Sequence, residues 1–143
     1  MFLCGIIKPH ALKQSAVIFG VLEAASVIIL KKKSIYFTHE LVEILYDHMS
    51  PEARNDIARR LVDHEALSLL LSAPSIGRLL EIVGKESDPR LCSPGSIRAR
   101  FGIHAEPATV GNEVWFENAF HRPINAREAA RDLMCIFNIQ PEP

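Results

Sequence analysis

Near its C-terminal end the chain reads Asn118-Ala119-Phe120-His121, and Asp132 follows the histidine by eleven residues. The apolar run 114–120 predicts a strand that ends at the histidine. Asn125 predicts the start of the helix that carries the aspartate. A neutral imidazole is a competent phosphoryl acceptor when its second ring nitrogen is fixed by an acceptor. This spacing suits an oriented histidine, although a surface histidine beside an ordinary helical aspartate has the same spacing.

Length and composition indicate one globular domain covering residues 1–143, because 48% of the residues are hydrophobic and 23% are charged. The net charge of −1 argues against a partner held mainly by bulk electrostatics, such as nonspecific DNA, and no specific nucleic-acid partner is implied. Three widely spaced cysteines without a CxxC pair favour a reducing compartment over a disulfide framework or a zinc site. The longest apolar stretch, residues 16–30, is interrupted by polar residues, so we expect no membrane association and a cytoplasmic protein.

Hydrophobic periodicity predicts four strands separated by helices. The predicted strands cover residues 2–7, 27–36, 66–71 and 114–120, and the predicted helices cover 11–25, 38–49, 50–61, 76–83, a short segment from Pro94 and 125–137. This order predicts an α+β fold with a four-stranded antiparallel sheet covered by helices, which is compatible with the ferredoxin-like fold.

Two further segments carry cations at the ends of predicted elements. Residues 6–9 (Ile-Ile-Lys-Pro) close the first strand with Lys8. Residues 93–98 (Ser-Pro-Gly-Ser-Ile-Arg) form a Pro-Gly turn before Arg98, whose guanidinium suits a polyphosphate. By residue type alone, each cation could equally be solvated. Tyr46 lies beside the apolar face of its helix, where a half-buried tyrosine needs no function.

Together these segments resemble the nucleoside diphosphate kinases, and the resemblance extends from residue 4 to residue 137. In that family a catalytic histidine follows an Asn-x-x-His string and an acid eleven residues later steadies it, which points to His121 and Asp132. The resemblance implies ping-pong transfer of the γ-phosphoryl group of a nucleoside triphosphate to a nucleoside diphosphate through a phosphohistidine. It also implies Mg²⁺ held mainly by the nucleotide phosphates, and a hexamer or tetramer built from dimers.

The resemblance assigns the remaining roles residue by residue. A Lys-Pro strand end presents Lys8 to the phosphates and ribose, and Tyr46 lies near that lysine. The implied nucleotide- and phosphate-binding residues are Lys8, Ser87, Arg98, Asn118 and Arg122. Arg122 has two readings, since it could offset charge on a phosphohistidine or crowd the pocket.

Several positions depart from the family pattern. Asp132 replaces the usual glutamate and is one methylene shorter. Residues 122–125 (Arg-Pro-Ile-Asn) replace Gly-Ser-Asp-Ser, and Leu80 stands where the family has a second arginine.

About ten extra residues, 104–114, lie where the loop over the nucleotide should be. They could plug the site or form a subunit contact. The family's base-stacking aromatic has no clear counterpart, and Trp115 or Phe116 could replace it. Two alternatives therefore stand beside the kinase: a scaffold or regulatory module of the same fold with an impaired pocket, and a histidine phosphocarrier.

Overall fold

The structure, a computed structural model, describes residues 1–103 and 108–140. Its strands are β1 (Phe2–Ile7), β2 (Ile28–Tyr36), β3 (Glu65–Ser72), β4 (Ala108–Val110), β5 (Glu113–Trp115) and β6 (Phe120–His121). Its α-helices are α1 (Ser15–Ala24), α2 (His39–Leu45), α3 (Pro51–Leu61), α4 (Ile76–Val83), α5 (Ile97–Phe101) and α6 (Ala126–Phe137). Two 3₁₀ turns, Pro9–Gln14 and Pro89–Leu91, complete the described elements.

Four strands form one antiparallel sheet in the order β2-β3-β1-β6. β1 lies inside it with five of its six residues buried, as its continuous apolar run requires. β6 joins the sheet by pairing Ile6 with His121 and Ile7 with Phe120. The predicted α+β fold with a four-stranded antiparallel sheet is confirmed.

The sheet separates two hydrophobic clusters, because side chains alternate between the faces of β1. Leu3 and Ile7 pack with residues of α1 and α4 on one face. Cys4 and Ile6 pack with residues of α2, α3 and α6 on the other. At Gly5 a Cβ would lie 2.4 Å from the Phe120 ring, so this glycine lets β6 approach β1 closely. The following residue, His121, then points to the opposite face, toward α6.

Four predicted elements differ from the observed ones. The helix predicted over 38–49 is observed only as α2, which ends at Leu45 and is followed by a turn. The helix predicted over 11–25 begins as a 3₁₀ turn, and its α-helical part is α1. The short helix predicted from Pro94 begins at Ile97, because the Ser96 hydroxyl caps it by accepting from the Ala99 N–H at 3.3 Å. The predicted strand 114–120 is two strands, since Ala119 has a φ of +73° and the chain bends there.

The first part of the inserted segment, residues 104–107, lies outside the described residues. From residue 108 the chain forms a hairpin in which β4 pairs with β5. In the described ranges, no helix has both the length and the apolarity needed to cross a bilayer.

Candidate active site

A cavity of about 520 Å³ opens beside the adjoining ends of β1 and β6. This volume lies within the range of small-molecule sites. Seven of the eight predicted site residues line it, and they come from segments distant in sequence. They are Lys8, Tyr46, Ser87, Arg98, Asn118, His121 and Arg122. The eighth, Asp132, lies behind the histidine on α6.

The His121 ring is oriented by Asp132. Its Nε2 lies 2.7 Å from Asp132 Oδ2, and that carboxylate is fully buried. Burial, the largest cause, lowers the pKa of His121 below its usual 6.5, while the hydrogen bond and charge of Asp132 oppose that shift. The neutral ring therefore donates from Nε2 to the carboxylate. Its Nδ1 lone pair is left for chemistry.

Lys8 is a buried amine surrounded mainly by neutral groups and other cations. Its Nζ donates to Asn118 Oδ1 at 2.8 Å and lies 5.7 Å and 5.5 Å from the ring centroids of Tyr46 and Trp115. Burial first, and then the charges of Arg98 and Arg122, hold the pKa of Lys8 well below its usual value. An anion in the cavity would favour the charged amine, so this arrangement suits phosphate binding.

Two arginines line the cavity, and backbone carbonyl oxygens hold the guanidinium group of each. Arg98 donates from Nε and Nη2 to the Phe120 carbonyl oxygen, and from Nη1 to the Glu86 carbonyl oxygen at 2.9 Å. Arg122 donates to the carbonyl oxygens of Gly84 and Lys85, each at 3.0 Å from Nη2. A guanidinium carries five N–H donors, so both side chains keep donors for a phosphate.

Glycine at position 84 is needed for this arrangement. Its φ is +127°, and a Cβ there would lie 2.7 Å from Cys92 Sγ and 3.1 Å from Arg98 Cβ. Gly84 thereby ends α4 and turns its carbonyl group toward Arg122. The Arg122 guanidinium consequently sits at the end of the helix that carries Leu80.

Tyr46 and Trp115 form the aromatic wall of the cavity. Their rings meet edge to face, with centroids 6.4 Å apart and planes at 79°. Tyr46 is buried rather than half-buried, and burial raises the pKa of its hydroxyl to about 12. Trp115 is also buried, with Arg60 5.9 Å from its ring centroid, so it offers no open face for a base. Phe116 lines the cavity and is half-buried, which leaves it better placed for stacking.

The described part of the insertion forms a wall of the cavity. The Glu113 carboxylate accepts from the Ser50 backbone N–H at 3.0 and 3.2 Å, which ties the β4–β5 hairpin to the first turn of α3. The same hairpin brings Trp115 against Lys8.

Comparison with known proteins identifies the family. A family model described as nucleoside diphosphate kinase matches residues 4–141. The chain belongs to the nucleoside diphosphate kinase family. A curated nucleoside diphosphate kinase from Bdellovibrio bacteriovorus is 29% identical over 136 residues, covering 92% of this chain and 89% of the relative. The family resemblance and the phosphotransferase class predicted from the sequence are thus confirmed.

Solved structures of nucleoside diphosphate kinases share the fold. The structure of the Borrelia burgdorferi enzyme is a transition-state mimic with bound vanadate and ADP. It superposes with a TM-score of 0.79 at 20% identity, covering 96% of this chain and 86% of the other. The Halobacterium salinarum enzyme in complex with CDP gives a TM-score of 0.75 at 14% identity, covering 97% and 88%. The Aquifex aeolicus enzyme gives 0.72 at 24%, covering 95% and 94%.

The charged groups of the cavity decide how a metal ion would be held. Within residues 1–103 and 108–140, no cluster of three or more His, Cys, Asp or Glu side chains is arranged to hold a metal ion. Among the described residues two carboxylates line the cavity, and both already accept backbone N–H groups: Glu113 from Ser50, and Glu128 from Ile124 at 3.0 Å. A divalent cation bound here would therefore take few ligands from the described side chains.

The sequence did not predict the part that Arg131 plays beside the orienting acid. Arg131 donates from Nε to Asp132 Oδ1 at 2.9 Å. Successive residues on a helix point in directions about 100° apart, so no pattern links a residue to its immediate neighbour. Only the buried position of the carboxylate reveals the contact.

Proposed function

We propose that the protein is a nucleoside diphosphate kinase in which His121 Nδ1 carries the transferred phosphoryl group. The observation that carries the proposal is the His121 ring itself. It lines the cavity, its Nε2 is engaged by buried Asp132, and Lys8, Arg98 and Arg122 line the same cavity. A scaffold module would not need to keep this ring and these cations together.

In the first half-reaction, His121 Nδ1 attacks the γ-phosphorus of a nucleoside triphosphate. A phosphorus–nitrogen bond forms, the bond from the γ-phosphorus to its bridging oxygen breaks, and the nucleoside diphosphate leaves. The Nε2–H remains bonded to Asp132, which balances the positive charge that develops on the ring. In the second half-reaction, a terminal oxygen of another nucleoside diphosphate attacks the phosphorus, a phosphorus–oxygen bond forms, and the phosphorus–Nδ1 bond breaks to release the neutral imidazole.

Positioning and charge neutralisation do most of the work in phosphoryl transfer. Lys8 and Arg98 stabilise negative charge on the phosphates. We assign the second guanidinium role to Arg122, because it reaches the end of α4 from the His121 side while that helix carries Leu80. This assignment favours charge compensation over crowding for Arg122.

The hydrogen-bonding groups of the cavity complete the proposed site. The hydroxyl groups of Tyr46 and Ser87 donate hydrogen bonds to phosphate oxygens, and Asn118 holds the ribose side while fixing Lys8. Asn118 is placed for this by its own bond from Nδ2 to the Ser87 carbonyl oxygen at 3.0 Å. Phe116 is the aromatic that we propose stacks on the base, and few polar groups remain to distinguish one base from another.

The proposed substrates are nucleoside triphosphates and diphosphates, supported by the ADP and CDP in two of the similar structures. A Mg²⁺ ion bound together with the nucleotide would be held mainly by the nucleotide phosphates and would neutralise part of their charge.

A homo-oligomer, hexamer or tetramer built from dimers, forms part of the proposal. It is supported by β2, which lies at the sheet edge with Ile28 59% exposed and Leu30 49% exposed. Sedimentation velocity measures the assembly directly, and a monomer at every concentration would remove this part. We also propose a cytoplasmic location, supported by the free thiols of Cys4, Cys92 and Cys135.

Labelling with γ-radiolabelled ATP tests the proposed reaction. We expect acid-labile, base-stable label on the wild-type protein, discharged by GDP, and none on His121→Ala. His64→Ala, which changes an exposed histidine outside the cavity lining, is the matched control and should label normally.

Each other result selects a different alternative. Absence of label on the wild-type protein would favour the scaffold. Label that GDP does not discharge would favour the phosphocarrier. Label that persists on His121→Ala would show that another residue is the nucleophile.

A further inference from the structure

The buried carboxylate of Asp132 has a different partner on each oxygen. Oδ2 meets His121 Nε2 at 2.7 Å. Oδ1 accepts from Arg131 Nε at 2.9 Å, and Arg131 Nη2 lies 2.8 Å from the same oxygen. The carboxylate is therefore held from both sides, by the imidazole and by a guanidinium.

Arg131 is itself held by the segment that follows α2. Its Nη1 lies 3.3 Å from Asp47 Oδ1, while Arg127 Nη2 lies 2.7 Å from Asp47 Oδ2. The Arg131 side chain is only 15% exposed, whereas that of Arg127 is 69% exposed. Contacts thus run without a break from Asp47 through Arg131 and Asp132 to His121.

The Asp132 carboxylate needs a positive charge beside it. A buried carboxylate whose only partner is a neutral imidazole lacks a countercharge, and such a group is costly to bury. The Asp132 charge also acts on the thiols of Cys4 on β1 and Cys135 on α6, but these provide no positive charge, and burial raises the pKa of each. Arg131 supplies that charge through a planar fork of donors.

The guanidinium also fixes the direction of a short side chain. An aspartate reaches less far than a glutamate, so its carboxylate must lie at one orientation to meet His121 Nε2. A contact on Oδ1 limits rotation of the carboxylate and keeps Oδ2 on the imidazole. Partners of this kind tune the group they hold without touching substrate.

We propose that Arg131 is a positioning residue for phosphoryl transfer: it anchors and charge-balances Asp132, which in turn sets the tautomer and orientation of His121. The inference rests on the proposed function, because it deepens the role of the same site. Asp47 supports Arg131 from the other end of the guanidinium.

The kinetic test compares three variants on α6. Arg131→Met removes the charge and keeps the aliphatic stem, Arg131→Lys keeps a charge, and Arg127→Met removes the neighbouring arginine that touches Asp47 but not Asp132. We expect Arg131→Met to lower kcat about 10- to 100-fold with a far smaller change in the KM for nucleotide. Arg131→Lys should recover part of the loss. Arg127→Met should change kcat less than about threefold, because it removes an exposed ion pair.

A pH profile separates this role from a merely structural one. The groups that act on the His121 ring are Asp132 from α6, Lys8 from the end of β1 and Arg98 from α5. Removing the Arg131 charge leaves the negative charge of Asp132 less balanced, so the pKa of His121 should rise. The acid limb of kcat should then move to higher pH in Arg131→Met and stay in place in Arg127→Met. An unmoved limb, or equal effects of the two variants, would overturn the proposal.

Nuclear magnetic resonance of the imidazole nitrogens gives a readout that needs no nucleotide. Wild-type His121 should carry its proton on Nε2, and Arg131→Met should show a mixture of tautomers. This result stands even if phosphoryl transfer were absent, so failure of the proposed function and failure of the inference are distinguishable. If Arg131→Met does not fold, Asp47→Asn releases Arg131 more gently. It should shift the tautomers in the same direction, and an unchanged tautomer there would overturn the inference.

Discussion

The two walls of the cavity are held together by different forces. The wall formed by β6 and α6 fixes His121 through charged groups, the buried carboxylate of Asp132 and the partly buried guanidinium of Arg131. The β4–β5 hairpin wall is held by an edge-to-face aromatic contact of Trp115 and by the carboxylate of Glu113 at the solvent-exposed start of α3. The two walls therefore have different proposed roles. The β6–α6 wall orients the nucleophile, and the hairpin wall shapes the space in which the nucleotide is held.

The largest expected effect comes from Asp132→Asn on the β6–α6 wall. The amide can donate to Nε2 and so favours the tautomer with its proton on Nδ1, the nitrogen that attacks. We expect kcat to fall about 100-fold or more while nucleotide affinity changes little. Stopped-flow phosphorylation and nucleotide titration measure the two quantities. Loss of affinity with normal turnover would show that Asp132 belongs functionally to the binding wall.

A smaller effect, of the opposite kind, is expected from Trp115→Leu on the hairpin wall. The change removes the ring beside Lys8 and the edge contact with Tyr46, so the KM for nucleotide should rise about tenfold. The value of kcat should change less. Thr109→Ala, an exposed position on β4, is the control for general damage to the hairpin. A fall in kcat with normal KM in Trp115→Leu would contradict the proposed difference between the two walls.

The acid limb of the wild-type pH profile tests how strongly burial acts on His121. Since its pKa lies below 6.5 and the neutral ring is the nucleophile, we expect kcat/KM at pH 6 to stay above about a quarter of its plateau value. The stability of the fold should change with pH in the same direction as kcat/KM. The unfolded chain binds the His121 proton more readily than the folded chain does. The stabilisation that comes from the neutral His121 ring is therefore complete above pH 6.5 and is lost as pH falls toward the folded pKa. An acid limb of kcat/KM with its midpoint above pH 6.5 would contradict the prediction.

The smallest effect is expected for Glu113→Gln at the base of the hairpin. The amide oxygen can still accept from Ser50, and the lost charge is solvent-exposed, so KM should rise less than about twofold. Steady-state kinetics at low salt measures the change. A larger rise than that of Trp115→Leu would mean that the tie to α3, rather than the aromatic contact, holds this wall.

Local patterns predicted the β6–α6 wall well, because its features are close in sequence. The Asn125 cap and the apolar face of α6 follow helical rules, and the observed helix starts within one residue of the prediction. The prediction for α4 was correct for the same reason: Gly84 ends a clear helical repeat. The site assignments themselves came from the family resemblance and remain predictions.

The hairpin wall could not be predicted in the same way. The run 114–120 has the composition of one strand, but residues 116–119 are not part of a strand and the chain bends at Ala119, whose φ is positive. Backbone bonds hold that bend: the Lys8 N–H donates to the Ala119 carbonyl oxygen at 2.8 Å. The burial of Trp115 likewise depends on elements distant in sequence. The same holds for the contact of Arg131 with Asp132, because Arg131 also contacts Asp47.

Helix α6 is secured at both of its ends. Asn125 Oδ1 accepts from the Glu128 N–H at 2.9 Å, and Lys33 of β2 donates to the Ile136 carbonyl oxygen at 2.8 Å near the other end. Inserting or deleting a single residue between Asn125 and Asp132 would turn the carboxylate by about 100° around the helix axis and away from the imidazole. Changes of length should therefore be tolerated around the hairpin. The number of residues between His121 and Asp132, in contrast, should not change without loss of their contact.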